Sequence, residues 1–198
     1  MSYLDDIKNK YNLNEDNIYS IIVVGDNLED PFGGWSGIVL KQVFGDKKYK
    51  LYFGDFTENL AAYENLTELV INRRLSKDTA VQLLKLWIEE NVNGDMVVAS
   101  SNAKSWVLPF IKEFKRLSGI KTEINVWDLK DMYSVRTNDL ELNLEGPVFS
   151  VFKKAIPIPK TFGLRSIADS LSIWEPNLGE QPEYRSELTT KVIEEILS

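Results

Sequence analysis

The side chains of this sequence that could do chemistry are carboxylates, tyrosines and lysines, because the 198 residues include neither cysteine nor histidine. The chain therefore lacks thiolate metal sites, cysteine nucleophiles and the usual general base near neutral pH. Acidic side chains at strand ends could reach a metal ion, and Asp26, Asp128 and Asp131 hold such positions. For Asp26 the alternative is a carboxylate that accepts loop N–H groups, and for the other two it is a helix N-cap.

A second group of residues could form a binding surface. Asp26, Glu29 and Asp30 stand close to two glycines and Trp35, which predicts an acidic mouth with an aromatic rim. Such a mouth would repel phosphates and attract a basic partner. The alternative is an ordinary solvated loop. Asn102 is a further binding candidate, and its alternative role is the N-cap of the helix that follows.

Composition limits the class of protein. The formal net charge of −7 opposes tight, non-specific binding to nucleic acid. Apolar runs such as residues 21–24 are far too short to cross a membrane, and residues 1–17 have no secretory signal pattern. We therefore expect a cytoplasmic protein with no membrane partner. We expect residues 1–17 to form an arm or short helix and residues 18–198 a single domain.

The elements that would position these residues alternate between strand and helix patterns. The β-branched run from Ile18 to Asp26 predicts a central strand buried on both faces. Two alternating runs then predict an antiparallel hairpin beside it, and Ser76 is expected to cap a helix. Trp106 and Phe110 fit the core face of a second helix better than a base-stacking shelf. The strands of this hairpin are expected at residues 35–44 and 47–56. The further predicted elements are strands at 95–100 and 122–129 and helices at 161–173 and 187–197.

Four segments resemble motifs of the DnaQ-like, or DEDD, 3'-5' exonucleases, which have a ribonuclease H-like fold. In chain order they are IIVVGDNLED, SNAKSWVLPFI, VWDLKDM and GLRSIADSLSI. The resemblance covers roughly residues 18–198. It implies an α/β fold with a mixed sheet, in which an antiparallel hairpin joins parallel strands, and with helices on both faces.

The resemblance also implies which residues to test for nuclease chemistry. In this family four carboxylates hold two divalent cations, and a histidine or tyrosine orients the attacking water. Here Leu28 occupies the second carboxylate position, Val107 or Trp106 the third, and Thr189 or Leu188 the last. The candidate catalytic residues, if the chain is active, are Asp26, Asp128, Tyr184 and Glu187, with Asp26 as the candidate metal ligand.

Two functions remain open on this basis. The first is a catalytically degenerate, exonuclease-like binding module with no cofactor, for which a protein partner is favoured and nucleic acid is possible. The second is a divergent 3'-5' exonuclease with Mg²⁺ or Mn²⁺ bound by Asp26, Glu29 or Asp30, Asp128 and Glu187. Loss of carboxylates at three separate motifs favours the first.

Overall fold

The structure, a computed structural model, describes residues 5, 14–25, 27, 29–53, 71–72, 75–136, 163–174 and 182–198. Asp26 and Leu28 lie outside these residues, as do most of the predicted arm at residues 1–17 and all of residues 137–162.

The described chain forms a mixed α/β sheet with helices packed on it. The strands are β1 (Ile18–Gly25), β2 (Trp35–Gln42), β3 (Lys48–Phe53), β4 (Ile71–Asn72), β5 (Met96–Ser100) and β6 (Ile124–Asp128). Their order across the sheet is β4-β3-β2-β1-β5-β6. The helices are α1 (Lys77–Asn91), α2 (Val107–Ser118), α3 (Leu129–Arg136), α4 (Leu164–Ser170) and α5 (Pro182–Leu197).

The central position predicted for the first strand is confirmed. β1 pairs antiparallel with β2 on one side and parallel with β5 on the other. Seven of its eight residues are buried, as expected for a β-branched run covered on both faces. The antiparallel hairpin of β2 and β3 lies beside it as predicted, and β6 continues the parallel half of the sheet.

Helices cover both faces of the sheet, so this prediction is also confirmed. Odd-numbered β1 residues such as Tyr19 and Ile21 join a core with α1 and α2. Ile18 and the β5 residues Val97 and Ala99 join a second core with α3, α4 and α5. This division follows from the alternation of side chains across a strand.

Some helix ends lie where the sequence predicts them, and others differ from the prediction. Ser76 caps α1 through its hydroxyl, which accepts the Thr79 N–H at 3.2 Å. Gly119 ends α2 at φ 63°, a conformation that favours glycine. The last helix begins at Pro182, five residues earlier than the predicted 187–197, because proline suits the first helical position. Leu129 begins α3 instead of ending the preceding strand.

Candidate functional site

A cleft of the described chain lies where β1 and β5 end. These neighbours run parallel, so their carboxyl ends meet at one edge of the sheet. From β1 the chain continues to β2 on one side, whereas β5 leads to β6 on the other. In open α/β sheets, ligands bind outside the carboxyl ends of two neighbouring strands whose connections leave in opposite directions across the sheet. The topology therefore marks this cleft as the candidate site.

The cleft has a volume of about 290 Å³ and a mixed polar and apolar lining. Its polar side chains are two hydroxyls, one amide, one indole and one guanidinium. Arg185 is the only charged residue among the described lining residues, which are Ile22, Val23, Val24, Gly25, Ser100, Ser101, Asn102, Trp106, Pro182 and Arg185. The volume is at the lower end of the range for small-ligand sites, so it suits a small molecule or one inserted group of a larger partner.

The walls of the cleft come from helices on opposite faces of the sheet. The turn at residues 101–106 leads into α2 on one side, and the first turn of α5 supplies Pro182 and Arg185 on the other. The Trp106 indole is fixed, because its Nε1–H donates to the Val23 carbonyl oxygen at 2.9 Å. Trp106 thus packs against the core as expected and also lines the cleft, whereas Phe110 is fully buried.

Asn102 lines the cleft but does not cap α2, so the capping alternative is wrong. Its backbone has φ 56°, a left-handed conformation that asparagine tolerates better than most residues. The residue at the N-cap of α2 is Trp106, which makes no side-chain capping bond. Asn102 instead contributes its carbonyl oxygen to the turn, where it accepts the Trp106 N–H at 3.1 Å.

The loop after β1 approaches the cleft closely. A Cβ atom at Gly25 would lie 2.6 Å from the Gly34 carbonyl oxygen, so only glycine fits there. Asp30 stabilises the loop, because its carboxylate accepts the Gly33 N–H at 2.7 Å. Lys77 Nζ also donates to the Phe32 carbonyl oxygen at 3.0 Å. This loop brings exposed acidic side chains to the end of β1.

Glu29 and Asp30 are both exposed, but the expected aromatic rim is wrong. Trp35 is only 3% exposed, and its Nε1–H donates to the Gly37 carbonyl oxygen at 2.9 Å. Its ring packs edge-on against Phe53 and Phe110, with centroids 4.7 and 4.9 Å away. The side chain belongs to the core under α1 and α2 because burying a large indole is more favourable than leaving it at a rim.

Asp128 is bound to backbone N–H groups at the end of β6. Its carboxylate oxygens accept the Lys104 N–H at 3.2 Å and the Lys130 N–H at 2.9 Å. Asp131, in the first turn of α3, forms an ion pair of 2.8 Å with the Lys104 side chain. Both acids therefore connect the start of α3 to the turn at residues 101–106. Asp128 acts as the predicted cap through the Lys130 N–H, but the capping alternative is wrong for Asp131, which is the third residue of α3 and forms an ion pair instead.

Glu187 and Tyr184 lie on α5 but do not line the cleft. Glu187 pairs with Lys41 and, at 3.7 Å, with Lys48. Lys41 of β2 pairs with Ser20 of β1. Ser20 lies five residues before Gly25, a separation of roughly 16 Å along the strand at about 3.3 Å per residue. Tyr184 packs against Trp174, with ring centroids 6.1 Å apart. The structure thus does not bring Glu187, Tyr184 and Asp128 together at the cleft.

The charged surface of α5 faces β2 and β3. Burial raises the pKa of Glu183, but hydrogen bonds and charge from Lys50 and Lys48 outweigh it, so the net pKa lies below its ordinary value of 4.5. The pKa of Glu194 is raised, first by burial and then by the charges of neighbouring glutamates, although Lys41 and Lys191 oppose this. These glutamates belong to an ion-pair surface and not to the cleft.

Neither a metal cluster nor a membrane span is found among the described residues. No three Asp or Glu side chains of that part of the chain are grouped so that they could hold a metal ion. No described helix is both long enough and apolar enough to cross a bilayer. Asp26, the candidate metal ligand, follows Gly25 at the cleft but lies outside the described residues.

Sequence reasoning did not identify Ser100, Ser101 or Arg185 as cleft residues. The available signal was the pair of hydroxyl residues directly after the buried strand β5, where strand-end side chains of an α/β sheet often meet a ligand. Arg185 carried no such signal, because its position depends on where a distant helix packs. No protein-family model matches this chain, and no curated protein matches it.

Proposed function

We propose that this chain is a ribonuclease H-like domain, similar to the DnaQ-like exonucleases, that binds a partner through its cleft and does not cleave nucleic acid. The strand directions support the fold part of the proposal. β1, β2 and β3 form an antiparallel meander, and β5 and β6 then extend the sheet in parallel with β1. The resemblance implies this combination of antiparallel hairpin and parallel strands.

One observation carries the non-catalytic part of the proposal. The described lining of the cleft supplies hydroxyl, amide and guanidinium groups but no carboxylate. A two-metal nuclease needs several carboxylates at one point to hold its cations. Asp26, which follows Gly25, would supply only one carboxylate, so such a centre would lack most of its ligands.

The other candidate carboxylates have different partners. Asp128 accepts two backbone N–H groups, and Glu187 pairs with lysines of β2 and β3. Moving either one into the cleft would leave these N–H groups or lysines without their present acceptors. The geometry therefore supports structural roles for both residues over a rearranged metal cluster with Mg²⁺ or Mn²⁺.

The partner that we propose is a protein. Glu29 and Asp30 are exposed where the loop meets the end of β1, and the whole chain carries a net charge of −7. This field repels a phosphate backbone and steers a basic protein surface towards the cleft. Nucleic acid is the competing partner that the experiment must separate.

Site-specific crosslinking tests this proposal. A photoreactive amino acid at Ser101, in the cleft, is compared with the same amino acid at Lys112, which is exposed on α2. We expect a protein from the native host to crosslink at Ser101 and not at Lys112. Glu29→Lys should weaken the crosslink, because it reverses a charge that attracts the basic partner.

Two results would contradict the proposal. One is crosslinking of Ser101 to nucleic acid alone at physiological salt. The other is equal capture of protein by both photoreactive positions, with no effect of Glu29→Lys, which would mean that the cleft is not the binding surface.

A further inference from the structure

Strand β1 continues beyond the end of its pairing with β5. The last pair between these two parallel strands is Ser20 with Ala99, whereas β1 stays paired with β2 as far as Gly25. After Ser20, one edge of β1 therefore has no strand partner among the described residues. Residues 22–25 of this stretch line the cleft. The cleft thus occupies the place where a further strand would continue the sheet.

The backbone of Val23 shows what this open edge offers. Its carbonyl oxygen accepts the Trp106 Nε1–H at 2.9 Å, so an indole takes the position that a donor of a neighbouring strand would hold. The N–H and C=O groups of one strand residue point to the same side, so the Val23 N–H also points towards the cleft. Neither the pairing with β5 nor a hydrogen bond outside the sheet gives it an acceptor among the described residues. Because buried backbone donors are normally satisfied and Val23 is only 6% exposed, this N–H is placed to bind a ligand.

We infer that the cleft receives an extended segment of the partner protein, which lies beside β1 and accepts the Val23 N–H with a main-chain carbonyl oxygen. The inference rests on the proposed function, because it names how the partner enters the cleft. Strand addition of this kind takes its affinity from main-chain hydrogen bonds. An added strand needs only the spacing of about 4.8 Å between neighbouring strands, whereas a helix with its side chains is about 10–12 Å across. The cleft volume of about 290 Å³ therefore suits a short extended segment better than a helix.

The lining and the neighbouring charges predict the composition of the segment. Ile22 and Pro182 supply apolar surface to the cleft, so the residues that enter it should be small and apolar. Arg185 also lines the cleft and would repel a cation inside it. Glu29 and Asp30 are exposed on the loop after β1. Basic residues of the segment should therefore lie outside the cleft, beside this acidic loop.

Amide hydrogen exchange of the full chain, measured by NMR, tests this inference. The probe is the peptide acetyl-Lys-Val-Ala-Val-Lys-amide, and the matched control is acetyl-Glu-Val-Ala-Val-Glu-amide, which has the opposite charge. We expect the lysine peptide to slow the exchange of the Val23 N–H by about tenfold or more at saturation. The Ile22 N–H is the internal control and should keep its exchange rate, because alternate residues of β1 face β2.

Two changes to the protein test the hydrogen bond and the charge separately. Replacing the Val23 amide by an ester removes the N–H and keeps the side chain, and the lysine peptide should then bind about three- to tenfold more weakly. Because the ester also weakens the Ile22 carbonyl as an acceptor for β2, a second variant leaves the strand intact. Glu29→Lys should weaken binding of the lysine peptide, whereas Glu90→Lys, at an exposed position of α1, should not.

Three results would overturn the inference: no protection of the Val23 N–H by the lysine peptide, equal affinity for the two peptides, or unchanged affinity in the ester chain. Protection by a single-stranded oligonucleotide instead of the peptide would also overturn it, because the cleft would then bind nucleic acid. The proposed function fails independently of this. If Ser101 still crosslinks to a protein while the peptide leaves Val23 unprotected, the binding module stands and only strand addition is rejected.

Discussion

Asp128 offers the sharpest distinction between a structural carboxylate and a metal ligand. It is 8% exposed, and its two oxygens accept N–H groups from the turn before α2 and the first turn of α3. A hydrogen bond to a charged acceptor contributes about 1.5–3 kcal/mol, and loss of a cap costs about 0.5–2 kcal/mol. Lys104 and Lys130 are exposed, so water can partly replace the lost acceptor.

Asp128→Asn keeps one acceptor oxygen and loses the other. We therefore expect the free energy of unfolding to fall by about 1–2 kcal/mol, somewhat less than the full contribution of one such bond, because water partly replaces the lost acceptor. For a domain of this size that corresponds to a drop in Tm of roughly 2–8 °C. Urea unfolding measures the first quantity and thermal unfolding the second. Asp169→Asn, at an exposed position of α4, is the matched control and should change stability by less than about 0.5 kcal/mol.

Two results would refute this reasoning. One is equal stability of Asp128→Asn and Asp169→Asn, which would show that the two N–H bonds do not stabilise the fold. The other is a rise in Tm of the parent chain with Mg²⁺ that Asp128→Asn lacks, because only a bound ion stabilises by mass action.

Substitutions at three further positions should change the stability of the fold, each for a separate local reason. Gly25→Ala should destabilise by about 1–3 kcal/mol in urea unfolding, because its Cβ would meet the Gly34 carbonyl oxygen at 2.6 Å; an unchanged midpoint would contradict this. Thr190→Val should cost about 1–2 kcal/mol through loss of the buried 2.8 Å bond to Ser20, whereas Thr190→Ser should cost less. Glu194→Gln should stabilise at pH 7, since the folded state raises the pKa of Glu194 above 4.5 and charging it opposes folding. That gain should vanish as the pH falls below 4.5, and a pH-independent difference would contradict the assignment.

The sequence predicted the sheet better than the site. A continuous β-branched run must be buried on both faces, so the central position of β1 could be predicted from its residues alone. Ser76 and Gly119 likewise mark helix ends through local chemistry. Trp35 was misassigned because the face of the first residue of β2 depends on pairing with β1, and that register shifts at Gly25.

The cleft could not be predicted because it depends on long-range packing. Ser100 and Arg185 line one cleft only because β5 lies beside β1 and the first turn of α5 reaches the same edge of the sheet. Glu187 shows the reverse case, since it is the carboxylate nearest the last motif position, but its lysine partners come from the hairpin. Local spacing does not encode which lysines a helix will meet.

The central claim, that this cleft binds without hydrolysing, is tested most directly by a 3'-5' exonuclease assay on end-labelled single-stranded DNA and RNA with Mg²⁺ or Mn²⁺. Asp26→Asn, purified in parallel, controls for contaminating nucleases. We predict that the oligonucleotides keep their full length with the parent chain and with the variant. Stepwise shortening from the 3' end that the parent chain performs and Asp26→Asn does not would contradict the account and establish a metal-dependent nuclease.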